Sequence, residues 1–161
     1  MKQSFRDKGG WWVTLQFALM TAVTAAGPSF PGSWPGTWHQ IAGSILVTAG
    51  AWIGIAGACT LGRNRTAYPV PKQHSVLIQH GIYGRIRHPL YTSLILLGLG
   101  WSLCWCSFAT LFATLLMALQ LQAKATFEES RLKKMFPDYD EYSRHVPRFF
   151  PRFPRPSRQR G

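Results

Sequence analysis

The chain has 161 residues and a formal net charge of +12, yet only 15% of its residues are charged and 47% are hydrophobic. One domain is the default at this length, and the charged fraction lies well below the ~25% usual in a water-soluble domain. A charge of +12 suits a nucleic-acid binder, but these basic residues flank apolar spans instead of covering one soluble face, so nucleic acid is excluded as the expected partner.

Charge is segregated along the chain. Residues 9–62 contain no Asp, Glu, Lys or Arg, and neither do residues 88–123; together they make up more than half the sequence. All charges fall into the three blocks that remain, the pattern of a multi-pass membrane protein. The expected fold is an all-α integral membrane bundle in a single domain, 1–161. About four transmembrane helices are expected, near 11–26, 38–61, 89–103 and 107–123, followed by a cytoplasmic amphipathic cap, 124–151, and a basic Pro-rich tail, 152–161.

The N-terminal block, Met1–Gly10, is polar and basic. Trp11–Ala26 opens with paired tryptophans, as expected at a membrane interface. With Gly27-Pro28 after it, the run would also suit a cleaved leader. Retention is expected because this span completes an even topology of consistent sign. Gly27–Thr37 is a Pro/Gly-rich breaker. Trp38–Leu61 carries Gly43, Gly50, Gly54 and Gly57 at helical spacing, a small-residue face suited to close helix packing. In the polar connection 62–87, Pro69 and Pro71 forbid a continuous helix. Ser75–Ile78 forms a short extended patch within it.

Pro89 suits the first position of a helix, with His88 at the cap. Leu90–Ala123 is apolar for 34 residues. A straight helix of that length would run about 51 Å, far beyond a bilayer core of ~30 Å. A hairpin turning near Ser102–Ser107 is expected instead. Lys124–Arg144 continues as an amphipathic helix broken near Pro137, and the tail is expected on the membrane surface or in solvent. Four spans would put all 18 Lys and Arg on one side, so both termini are expected in the cytoplasm. Cys59, Cys104 and Cys106 are expected to be buried free thiols. The Cys104-Trp-Cys106 spacing does not suit zinc, and no metal site is expected.

Chemistry gathers in Gly81-Ile-Tyr-Gly-Arg-Ile-Arg-His-Pro-Leu-Tyr91, which sets two arginines, a histidine and two tyrosines against an apolar span. Polar groups at such a place are costly and often functional. The hairpin returns Ala123 and Lys124 beside Arg87 and His88. Lys124, Glu128 and Arg131 share a helix face. Tyr83, Arg87, His88, Tyr91, Lys124 and Glu128 can therefore meet at one cytoplasmic mouth. Simple anchoring at the membrane edge accounts for the same residues without any catalysis.

Gly81-x-Tyr83-x-x-x-Arg87-His88-Pro89-x-Tyr91, followed some 40 residues later by Glu128-Glu129-x-x-Leu132-x-x-x-Phe136-x-x-Tyr139-x-x-Tyr142, resembles the isoprenylcysteine carboxyl methyltransferase family. That family sits in a wider group of membrane methyltransferases with the phospholipid N-methyltransferases. Leu61-Gly62-x-Asn64, Val146-Pro147-Arg148 and Pro151 are also similar to members of the group. The resemblance covers roughly residues 61–151; residues 1–60 match only as apolar spans.

The resemblance implies S-adenosylmethionine-dependent methyl transfer to a lipophilic acceptor within the bilayer. The cofactor would enter from the cytosolic side. By motif, its contacts fall on Ser75, Val76, Leu77, Ile78, Tyr83, His88, Pro89, Leu90, Tyr91, Glu128 and Glu129. His88 or the helix start would hold the cofactor's carboxylate and Glu128 its ammonium. Tyr83 and Tyr91 would face the adenine or the sulfonium, and Val76, Leu77 and Ile78 would wall the adenine. Lys124 and Arg87 are the candidate catalytic residues. The family often has arginine where this chain has Lys124. Lysine keeps the charge and loses the planar fork, which counts against a prenylcysteine carboxylate more than against methyl transfer. A phospholipid or small-thiol acceptor, and a non-catalytic four-span protein, are the alternatives. The oligomeric state is open.

Overall fold

The computed structural model describes residues 9–62 and 76–151. The N-terminal basic block, Ser75 and most of the polar connection, and the tail from Arg152 lie outside the described residues. The elements are α1 (Gly10–Ser29), α2 (Trp38–Leu61), a short 3₁₀ turn (Gly81–Gly84), α3 (Pro89–Cys104), α4 (Phe108–Met135) and α5 (Tyr139–His145). No strand occurs among the described residues.

The first helix overruns its expected end. It passes through Gly27 and Pro28 to Ser29. Proline has no N–H to give the carbonyl four residues back. That carbonyl, on Thr24, instead accepts from the Trp101 indole N–H at 3.3 Å. A tertiary contact thus supplies the donor that the breaker removed.

The glycine face of α2 lies along α3. A Cβ at Gly43 would stand 2.6 Å from Cys104 Sγ and 2.8 Å from the Gly100 carbonyl oxygen, and one at Gly57 would meet Pro89 Cγ at 3.2 Å. The helices run antiparallel with their backbones nearly touching, which only residues without side chains allow. Between α3 and α4 the chain turns at Trp105–Ser107, inside the expected stretch. Cys106 there takes a φ of 50°. The Ser107 hydroxyl caps α4, accepting from the Thr110 N–H at 3.3 Å.

The first and fourth helices pack through Val23, Ala113, Met117 and Leu121. The last twelve residues of α4 carry the polar sequence from Lys124 onward. After a break at Phe136–Asp138, α5 folds back. Tyr139, Tyr142 and Val146 form a second small core against Leu77, Leu132 and Phe136.

The bundle surface is apolar, and polar side chains are buried beside its apolar core. Trp11, Phe17, Ile41, Ile45, Trp52, Ile55, Phe108, Phe112 and Leu119 are exposed, whereas Thr92, Ser93, Ser102, Thr110, Thr114, Gln120 and Lys124 are buried. This inverts the water-soluble arrangement and fits a bundle surrounded by lipid. Two helices, α2 and α4, are long and apolar enough to cross a membrane, where four spans were expected. α3 has only 16 residues, about 24 Å of helix, and the threonines and Gln16 of α1 dilute its apolar character. Of the three cysteines expected to be buried, Cys106 is, Cys104 is half-buried and Cys59 is exposed on α2.

Candidate functional site

Three chain segments meet at the start of α3. Pro89 occupies the first helical turn and His88 precedes it. The segment after α5 comes back along this start. The Arg87 N–H donates to the Pro147 carbonyl at 2.9 Å, and the His88 N–H donates to the Arg148 carbonyl at 3.0 Å. The Thr92 hydroxyl donates to the Phe149 carbonyl at 2.7 Å. The charged end of α4 lies across both.

Glu129 is the hub. Its Oε1 accepts from His88 Nε2 at 3.0 Å and Arg148 Nε at 3.0 Å and pairs with Arg87 Nη1 at 3.1 Å, while its Oε2 takes Arg148 Nη2 at 2.6 Å. The Glu129 side chain is 8% exposed. Both carboxylate oxygens are occupied, so this glutamate locks α4, the start of α3 and the C-terminal segment together. Arg87 also reaches the Tyr139 hydroxyl at 3.5 Å.

Glu128, one residue earlier, is placed differently. The Tyr91 hydroxyl donates to its Oε2 at 2.8 Å, and His88 Nδ1 stands 3.9 Å from the same oxygen. Its side chain is 26% exposed, and its Oε1 is open among the described residues. The His88 ring stacks on Tyr91 with centroids 5.1 Å apart. Lys124 Nζ lies 5.4 Å from the Tyr91 ring centroid and donates to Gln16 Oε1 of α1 at 2.5 Å.

The tyrosines at this end are neutral. Burial pushes the Tyr142 phenol up to about 12, against the pull of nearby Arg87. Burial likewise raises Tyr83 and Tyr139 well above the usual phenol range, with Glu128 adding to the first and Glu129 to the second. Burial thus favours the protonated form of each. The Tyr142 hydroxyl spends its proton on the Tyr83 carbonyl at 2.6 Å, which fastens α5 over the 3₁₀ turn.

The structure gathers Tyr83, Arg87, His88, Tyr91, Lys124, Glu128 and Glu129 at one end of the bundle. It revises several expected contacts. Both His88 nitrogens face carboxylates, so its ring partners acids and is not placed to hold an anion. The Pro89 and Leu90 side chains meet Gly57 of α2, where they serve helix packing. Val76 is exposed, Leu77 joins the small tyrosine core, and Ser75 lies outside the described residues. Arg131 leaves the mouth for the Phe127 ring, 5.0 Å away. Sequence reasoning gave Arg148 no role, although Val146-Pro147-Arg148 was in view. Gln16 and Gln120 carry no charge to mark them within the apolar runs; their polar amides are the signal available there. No group of three or more His, Cys, Asp or Glu side chains suited to a metal gathers among the described residues.

Comparison with known proteins gives a family and two relatives. The phospholipid methyltransferase family model matches residues 38–139. The chain is 33% identical over 147 residues to the cobalt-zinc-cadmium resistance protein CzcN of Cupriavidus metallidurans, an alignment covering 89% of this chain and 63% of that protein. It is also 33% identical over 149 residues to the nickel-cobalt-cadmium resistance protein NccN of Alcaligenes xylosoxydans xylosoxydans, covering 89% and 64%. The chain thus spans under two thirds of the length of either relative.

Proposed function

We propose that this chain, which belongs to the phospholipid methyltransferase family, is an integral membrane methyltransferase that uses S-adenosylmethionine at the basic end of its bundle to methylate a lipophilic acceptor. The observation that carries this reading is the pairing of Glu128 with Tyr91 and of Glu129 with His88 and Arg148. Elements some 40 residues apart converge there, at the edge of the apolar bundle.

The residues fit such a cofactor. Glu128 offers a carboxylate oxygen that suits an ammonium group. Arg87 Nε is a buried donor with no hydrogen-bond partner among the described residues, which suits a carboxylate. The faces of Tyr83 and Tyr91 suit a sulfonium or an adenine ring. When bound, S-adenosylmethionine supplies a methyl group activated by its sulfonium. The chain's own part is to orient and to exclude water, and alignment supplies most of the acceleration in such a displacement. The Glu129 latch holds Glu128 and Tyr91 in place, and Lys124 lies on the side of Tyr91 toward α1. A carboxylate or thiolate acceptor needs no base.

Both names among the relatives speak of resistance to metal ions and neither names a reaction, so no metal chemistry is carried over from them. In this reading all four long helices cross the membrane, with both termini on the cytoplasmic side. The α1 threonines support this, because Thr14, Thr21 and Thr24 turn their hydroxyls onto carbonyls of their own helix at 3.0–3.3 Å, which pairs their protons without water. A reporter joined after Gly161 should read cytoplasmic and one inserted at Gly36 should read extracytoplasmic; the same side for both sinks the four-span arrangement.

Calorimetric titration of S-adenosylmethionine into the full chain in lipid nanodiscs tests the activity class. Wild type should bind, and Glu128→Gln should bind at least about tenfold more weakly while staying folded. A well-folded wild type that takes up no S-adenosylmethionine overturns the proposal.

A further inference from the structure

The end of the bundle opposite Glu128 carries a thiol and an imidazole that the site above does not use. Cys106 Sγ, in the turn between α3 and α4, lies 3.3 Å from His39 Nδ1, in the first turn of α2, 67 residues away along the chain. Cys106 is 3% exposed and His39 6%. The surroundings hold the pair in place. Cys106 sits at a φ of 50°, a left-handed conformation that residues with a side chain rarely adopt and that points to function where the neighbours enforce it. Gly32, in the loop before α2, approaches the Cys106 carbonyl so closely that a Cβ there would collide with it, and the Gly32 N–H donates to the Trp105 carbonyl at 2.9 Å. The Trp34 and Trp38 rings stand edge-on to the imidazole, with centroids 6.0 and 5.9 Å away. Cys104 faces Gly43 instead, one turn further along α2. No third His, Cys, Asp or Glu side chain joins the pair to make a larger metal cluster among the described residues.

We propose that Cys106 and His39 form a two-coordinate site for a soft monovalent cation of the copper(I) and silver(I) class. Ligand type, ligand number and charge point the same way. Thiolate selects soft metals, and a neutral imidazole nitrogen binds them too. Two ligands fall short of the four that zinc takes in structural sites, and hard cations want oxygen donors, which neither side chain offers. One thiolate and one singly charged ion sum to zero, so the complex brings no net charge into a buried place. A divalent ion would leave an uncompensated charge there. Binding breaks the Cys106 S–H bond and forms a sulfur–metal bond. The proton goes to solvent, the imidazole gives the Nδ1 lone pair while its own proton stays on Nε2, and no electron changes hands. Bonds of about 2.3 Å to sulfur and 2.0 Å to nitrogen set the two atoms at most about 4.3 Å apart, so from 3.3 Å the turn has to yield by about 1 Å. A loaded site ties the first turn of α2 to the turn that joins α3 and α4, and it stands independently of the methyltransferase reading.

The test uses the full chain in lipid nanodiscs and chloride-free buffer, with Cys59→Ser and Cys104→Ser to remove the other thiols. Silver nitrate is the probe, because silver(I) needs no reductant. This protein should bind one silver ion per chain and release about one proton per ion bound. Zinc sulfate should bind at least about tenfold more weakly. Adding Cys106→Ser should abolish silver binding. Adding His39→Ala should weaken it at least about tenfold, a loss that a bare thiol would not show. X-ray absorption at the silver edge should find one sulfur and one nitrogen neighbour. In the chain with all its cysteines, Cys106→Ser alone should lower the silver bound by one ion per chain. Folded protein that takes up no silver, silver affinity unchanged by His39→Ala, zinc bound as tightly as silver, or a silver shell without nitrogen overturns the proposal. No readout involves S-adenosylmethionine, so failure here leaves the methyltransferase reading to its own titration.

Discussion

Glu128 and Glu129 are neighbours in sequence and opposites in the structure. Glu129 looks toward the start of α3, where both of its oxygens are taken by Arg87, His88 and Arg148. Glu128 looks toward Tyr91, with one oxygen used and its side chain partly open. One region is a closed latch and the other a partly exposed carboxylate with one oxygen in use. The difference teaches that a pair of acids which looks like a single motif is divided between one that holds three segments together and one that keeps a partly exposed carboxylate. Successive residues on a helix point about 100° apart, so one helix end can do both.

The contrast breaks most visibly at the latch. Glu129→Ala leaves two arginines and a histidine facing one another in a largely buried place, and should cost about 3–5 kcal/mol, read as a lower midpoint in denaturant titration of the purified protein. Glu128→Gln should change the same midpoint by less than about 1 kcal/mol, while weakening S-adenosylmethionine binding as stated above. If the two substitutions destabilise equally, the division of labour is wrong.

A smaller effect is expected where α2 carries α3. Gly43→Val brings a side chain against Cys104 Sγ and the Gly100 carbonyl and should cost about 1–3 kcal/mol in that titration. A neutral outcome would mean that the two helices separate without penalty and that α3 is not held by this contact.

Smaller still is the fastening of α5. Tyr142→Phe removes the 2.6 Å hydrogen bond to the Tyr83 carbonyl, a loss of about 1 kcal/mol. The tyrosine also carries a pH signature. Its pKa is raised by burial from 10.0 to about 12 in the folded protein, so folding favours the protonated phenol. Its contribution is complete below pH 10.0 and is lost as pH rises toward about 12. The stability of Tyr142→Phe should fall less steeply across that window. Identical slopes would show that this phenol is not held neutral by the fold.

Much of the architecture could be read from residue order. Charge-free runs at 9–62 and 88–123 require apolar helices, because stretches of that length without ionic groups bury themselves in lipid or in one another. The glycines of α2 share a face by helical period alone, and 34 apolar residues exceed a bilayer's thickness, so a turn near Ser102–Ser107 had to exist. The convergence of His88, Tyr91 and Glu128 follows from that hairpin. The end of α1 did not follow, since Pro28 marks a stop unless another part of the chain replaces its missing hydrogen bond, and Trp101 lies 77 residues from Thr24.

Periodicity places residues on a face of their own helix and is silent on how that helix is turned toward its neighbours. Whether Glu128 or Glu129 meets the arginines depends on that rotation. So does the meeting of Gln16 with Lys124 across 108 residues, and the return of Arg148 to Glu129 depends on the path after α5. These are long-range packing outcomes, settled by the fit of glycines, aromatics and buried charges between helices. The sequence by itself determined that a membrane bundle would bring acids, bases and aromatics to one end; only the tertiary structure decided which acid is satisfied and which is left open, because the orientation of one helix against another is fixed by contacts that no local pattern contains.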